Sequence, residues 1–256
     1  MPRLTLPIFM AAALSVHTTW AADPFVGAWK LDPARTQLTD QMKVERAGPN
    51  RFTFELGAGP ETIVTDGSDQ PGYGGTTLAV SVLGPDAWKV VRKKGGRMLL
   101  TADWRLSQDG NTLTDDFTSI GSDGSQSKVK YVYARTAGDS GFTGTWESTS
   151  EKVDSVFVIR FQPDQADGLA LTYPSGVTKD MRFDGKDHLP AGANATEGAA
   201  FSARRLGAGD IELTDKYQGK VVAAERLTLS ADGKTLTQTV SAPGKRRPNV
   251  LVYVRQ

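Results

Sequence analysis

Four short blocks occur twice in this 256-residue chain, in the same order and at nearly constant separation. Phe25-Val-Gly-Ala-Trp29 returns as Phe142-Thr-Gly-Thr-Trp146. Asp66-Gly-Ser-Asp69 returns as Asp184-Gly-Lys-Asp187. Leu106-Ser-Gln-Asp-Gly-Asn-Thr-Leu-Thr114 returns as Leu229-Ser-Ala-Asp-Gly-Lys-Thr-Leu-Thr237. Tyr131-Val-Tyr-Ala-Arg135 returns as Leu251-Val-Tyr-Val-Arg255. A repeat of about 120 residues is the length of one ordinary domain, so the chain reads as two copies of one folding unit. The expected division is a repeat over 22–136, a linker over 137–141 and a second repeat over 142–256.

Within each unit the apolar pattern is that of strands. Apolar residues alternate or run briefly in 41–45, 52–56, 77–83, 88–92, 97–106, 112–118 and 128–135, and the second unit follows suit. Gly-Gly at 95–96 and Asp-Gly at 109–110, 123–124 and 232–233 break these runs. Such pairs mark hairpins, because a type I′ turn needs positive φ at both central residues. No window holds a long helical period. Meandering antiparallel strands with no edge to protect suggest an all-β fold of two tandem up-and-down barrels; small β-sandwiches are the alternative.

The N-terminus reads as a secretory signal over residues 1–21. Arg3 precedes an apolar stretch from Leu4 to Val16, and Thr19 and Ala21 supply the small residues before a cleavage point. About 13 apolar residues fall short of the roughly 20 that cross a bilayer. The expected location is therefore periplasmic or extracellular, without stable membrane insertion. Beyond Arg3 the 30 basic and 29 acidic residues cancel, which gives no electrostatic reason to expect nucleic acid. Cysteine is absent, excluding disulfides, thiolate metal sites and thiol nucleophiles. Beyond the leader His188 is the sole histidine.

The ends of each unit carry a resemblance. A Gly-x-Trp opens the first strand and an Arg closes the last, which resembles the calycin superfamily: lipocalins, fatty-acid-binding proteins and secreted bacterial lipocalin-like proteins of unassigned function. The resemblance implies a β-barrel plugged at one end by the first-strand Trp, with the last-strand Arg across its ring. Carried over repeat by repeat, it pairs Trp29 with Arg135 and Trp146 with Arg255. Fatty-acid-binding proteins place an Arg two residues before the last-strand Tyr; here Tyr131 and Leu251 stand in that place.

Candidate chemistry is sparse. His188 beside Asp187 suits a turn better than a general base, since Gln70 stands in its place in the first unit. No Gly-x-Ser-x-Gly elbow is present. Asp115-Asp116 could pair for acid–base work, but the second unit has Gln238-Thr239 there; one is expected to be solvated and the other near a strand end. Arg92-Lys93-Lys94-Gly-Gly-Arg97 and Lys245-Arg246-Arg247 could bind phosphate or anionic lipid but read better as solvated hairpin tips. The glycine-rich 71–75 segment lacks the Lys-Ser/Thr of a phosphate loop and reads as a flexible flap over a barrel mouth. Trp88, Trp104, Tyr131, Tyr133 and Tyr253 either line an apolar ligand cavity or fill the interior. The expectation is a non-enzymatic binding protein, without cofactor or metal, for a small apolar molecule. The alternative is an envelope interaction module, or an inhibitor of a secreted enzyme, that works through its loops.

Overall fold

The structure, a computed structural model, describes residues 23–256 apart from Ala58, Asp139, Ser155, Ala166 and Arg246. The expected signal segment lies outside the described residues. In chain order β1 is Gly27–Leu31, β2 Gln41–Gly48, β3 Arg51–Glu55, β4 Pro60–Val64, β5 Gln70–Pro71, β6 Thr77–Gly84, β7 Ala87–Lys94, β8 Arg97–Leu106, β9 Thr112–Ile120, β10 Gln126–Ala137 and β11 Gly144–Val153. Then come β12 Val158–Pro163, β13 Leu169–Thr172, β14 Thr178–Met181, β15 Ala199–Gly207, β16 Asp210–Tyr217, β17 Lys220–Leu229, β18 Thr235–Ser241 and β19 Asn249–Arg255.

These strands form two nearly closed antiparallel barrels. One is ordered β4-β3-β2-β11-β10-β9-β8-β7-β6-β5, the other β14-β13-β12-β1-β19-β18-β17-β16-β15. The fold class is thus the expected one. The division between barrels does not follow the repeat. Barrel one is a continuous stretch from β2 to β11. Barrel two takes β1 from the start of the chain and β12–β19 from its end. The 137–141 segment, read as a linker between domains, joins β10 to β11, which are paired within barrel one.

The expected Trp–Arg partners are therefore exchanged. Arg255 lies over Trp29 at 4.2 Å, and Arg135 over Trp146 at 4.3 Å. Each repeat's first strand closes the other repeat's barrel. The physical reason is local. β10 and β11 join through a short connection, with Arg135 paired to Trp146, and a short loop closes at little entropic cost. The slot beside β10 being filled, β1 occupies the equivalent slot between β19 and β12. The segment after β1 is held there too: Gln37 and Val250 exchange two backbone bonds of 2.7 Å, and Asp40 meets Lys245 at 2.9 Å.

Both barrels use the same plug. The Trp29 indole donates to the Phe25 carbonyl at 2.8 Å, and that of Trp146 to the Phe142 carbonyl at 3.0 Å. Arg255 Nη1 bonds the Val26 carbonyl, and Arg135 bonds the carbonyls of Gly110, Gly141 and Thr143. The repeated Asp-Gly blocks fold as turns beside each seam, with Asp66 accepting from the Ser68 N–H and Asp184 from that of Lys186. The seam of barrel one is stitched by the Gln70 amide, which bonds both the N–H and the carbonyl of Val64. The seam of barrel two is stitched by the bridges Thr178–Ala191 and His188–Phe201.

Candidate functional site

Most of the aromatic residues singled out from the sequence fill the interiors. Trp88 and Trp104 stack in barrel one with Phe142, whose ring centroid is 4.2 Å from that of Trp88; Phe52 and Phe54 pack against them edge-on or tilted. Tyr133 is buried and donates to Asp40 at 2.8 Å, while half-buried Tyr131 stacks on it at 5.7 Å. Tyr253 is buried in barrel two and donates to Gln238 at 2.9 Å. None of these five lines the cavities described next.

Those cavities lie where the two barrels meet. The 3₁₀ turn Tyr73–Gly75 of barrel one reaches across to barrel two: the Gly74 N–H bonds the Tyr217 hydroxyl at 3.2 Å, and the Glu197 N–H bonds the Gly74 carbonyl. The 71–75 segment is therefore not a flap. It is a lock between the barrels. Gly74 has φ of 61°, and a Cβ there would collide with Thr196, so glycine is required twice over. Behind it Arg92 forks onto Glu61 at 2.9 and 2.6 Å, bonds Thr76, and stacks on the Tyr73 ring at 4.3 Å. The Glu61–Arg92 pair is about 5% exposed on each side and anchors the turn through the Tyr73 N–H. Lys94 and Arg97 add bonds to Ala195 and Asn194, so two residues of the basic run, read as solvated tips, bridge the barrels.

On one side of Tyr73 lies a cavity of about 220 Å³ with Arg92, Leu100 and Pro174 in its wall. On the other lies a cavity of about 250 Å³, walled by Tyr73, Val177, Phe201 and Tyr217 and floored by Lys179 and Asp215. Tyr73, Val177 and Thr196 belong to both. The Tyr73 and Tyr217 rings meet edge to face with centroids 6.2 Å apart.

The floor continues into barrel two as a polar chain. Lys179 donates to Asp215 at 2.7 Å and to Glu225 at 2.8 Å. Glu225 accepts from Gln238 at 2.6 Å, and Gln238 accepts from Tyr253. Burial works against the Lys179 ammonium, but the two carboxylates outweigh it and hold its pKa up. Burial raises the pKa of Asp215, and the hydrogen-bonded, charged Glu225 raises it further. Burial would raise Glu225 as well, yet the bonds from Asp215, Lys179 and Gln238 keep it low. One ammonium faces two carboxylates, and of the two it is Asp215 whose pKa is raised.

Barrel one holds a different buried acid. Asp115 is 5% exposed, inside β9 rather than near a strand end, whereas Asp116 points out to Lys130. Burial pushes Asp115 up to about 7 against the pull of the Trp104 indole, and Asp40, Asp116 and Asp103 add to the rise. Asp115 Oδ1 and Trp104 Nε1 are left without a hydrogen bond. His188 pairs through its ring with Asp184 at 2.9 Å and serves the seam. Among the described residues no group of three or more His, Cys, Asp or Glu is placed to hold a metal ion.

The Lys179–Asp215–Glu225 cluster escaped the sequence reading. Its members stand 36 and 46 residues from Lys179, and only the barrel brings them together. No family model matches the chain, and no curated protein matches it.

Proposed function

We propose that this is an exported, non-enzymatic binding protein, built from two calycin-like barrels, that carries a small molecule in the cleft between them. The single observation behind this reading is the contrast between filled interiors and the 250 Å³ cavity at the mouth of barrel two. Its aromatic walls and charged floor are the usual composition of a ligand site: mostly apolar, with few polar groups to fix orientation. Its size suits a ligand smaller than a typical drug. The calycin assignment rests on the plug geometry at both barrel ends, and the export on the N-terminal segment.

Native mass spectrometry of protein purified from its own host tests the reading. A retained small mass that the Tyr217→Ala variant loses supports it; a bare chain overturns it. The interaction-module reading has one observation of its own. Leu83 and Leu206, at matching hairpin tips, are 65% and 52% exposed. A retained protein-sized mass would favour that reading instead.

A further inference from the structure

Resting on the cleft reading, the charges around the 250 Å³ cavity narrow the ligand. Every titratable group near its floor has an assigned place. Lys179 serves two carboxylates, Asp215 and Glu225, and lies 5.6 Å from the centre of the Tyr173 ring and 5.9 Å from that of Phe201. Lys216, also in the wall, is neutralised by Asp187 at 2.7 and 2.8 Å. Glu197, at the rim, is 73% exposed and 4.0 Å from Lys94. Arg92, on the Tyr73 ring, is paired with Glu61, and Tyr73, Tyr217 and the buried Tyr173 beside Lys179 complete the set. The floor is thus one positive charge short. Buried charge of one sign is costly, so it holds a proton or attracts a cation. Asp215, 21% exposed at its side chain, lines the cavity, whereas Glu225 at 6% lies behind it. Three aromatic rings, Tyr73, Phe201 and Tyr217, wall the same cavity, and aromatic faces attract ammonium groups.

We propose that the cleft binds a small protonated amine with an apolar body, its ammonium against Asp215 and its body among Tyr73, Phe201 and Tyr217. The ammonium takes the place of any proton on Asp215 and leaves Lys179 on Glu225. An anionic ligand would instead meet two carboxylates. Binding releases that proton wherever Asp215 is protonated beforehand.

The test is titration calorimetry of the full-length exported protein with three probes of one shape: phenethylamine, 2-phenylethanol and 3-phenylpropionate. The amine should bind at least about tenfold tighter than the alcohol, since a charge-assisted bond is worth roughly 10- to 100-fold in affinity. Asp215→Asn should remove that advantage and leave the alcohol unchanged. Lys179→Gln, which frees both carboxylates for the ligand, should tighten the amine; this variant decides the matter if Asp215→Asn fails to fold. Equal or tighter binding of the acid overturns the proposal, as does an Asp215→Asn variant with undiminished amine affinity or a Lys179→Gln variant with weakened affinity. If the alcohol and the acid bind and Tyr217→Ala abolishes both, the amine assignment falls and the cleft reading stands. If none of the probes binds and no mass is retained from the host, both fall.

Discussion

The two barrels come from one repeated sequence, yet they place opposite charges at matching positions. Glu61 on β4 pairs with Arg92 on β7 in barrel one; the matching residues, Lys179 on β14 and Asp215 on β16, pair with the signs reversed in barrel two. What surrounds each pair differs more. In barrel one the guanidinium is forked onto its carboxylate and capped by Tyr73 and Thr76, so the pair is satisfied and almost fully buried. In barrel two a third charge, Glu225, stands where barrel one has Ala102, and the pair stays open to a cavity. Behind them Asp115 matches Gln238, and Trp104 matches Leu227. One copy is filled with aromatics and made into a support; the other keeps a polar interior and an open mouth. Duplication lets one copy meet the needs of packing while its twin keeps a charged cluster facing a cavity.

The largest test of the comparison is Trp29→Ala. Trp29 belongs to the first repeat but is fully buried in barrel two. Its loss should cost about 3–5 kcal/mol there and leave barrel one's amide protection unchanged, as read by native-state hydrogen exchange. Loss of protection in β8–β10 instead would place Trp29 in its own repeat's barrel.

Asp115 gives a pH-dependent effect. Its pKa is raised on folding, from an ordinary carboxylate value to about 7. The folded state therefore holds the proton more tightly, and stability falls as pH rises from about 4 to 7. About three pH units correspond to about 4 kcal/mol. Asp115→Asn, which imitates the Gln238 of the other barrel, should raise the melting temperature at pH 8 and do little at pH 4. An equal gain at both would mean that the carboxyl stays charged in the fold.

The smallest effect concerns the plugs. Arg255→Ala should cost about 1–2 kcal/mol in barrel two, and Arg255→Lys should recover part of it, since an ammonium cannot lie flat on the indole. Matching changes at Arg135 should act on barrel one alone, by the same exchange readout.

Much of this was legible in the sequence, and the limits have physical causes. The strands and the barrels follow from alternation and turn residues, and both Trp–Arg plugs from the calycin resemblance at the repeated ends. The partners did not, because Gly27-Ala-Trp29 and Gly144-Thr-Trp146 are equivalent, and either can sit beneath either Arg. What decides is the short connection between Ala137 and Gly144, a difference in loop closure rather than in side-chain chemistry. The cleft was hidden for another reason. Tyr73, Lys179 and the pair Asp215 and Tyr217 lie on three separate segments, and each alone reads as an ordinary surface residue. The glycines at 74 and 75 were the one local signal, and they mark close approach to Thr196 and Glu197.

The exchange of first strands underlies all of this, and the absence of cysteine allows a clean test of it. Lys30 and Val254 are register partners on β1 and β19, and both side chains avoid the core. Antiparallel partners lie within the Cα separation that a disulfide spans. In a barrel closed by its own repeat, Lys30 would face Ala134 instead. A Lys30→Cys, Val254→Cys variant should oxidise to a single cross-linked species, visible as a gel shift reversed by reductant, while Lys30→Cys, Ala134→Cys stays reduced. Cross-linking of the second pair and not the first would contradict it.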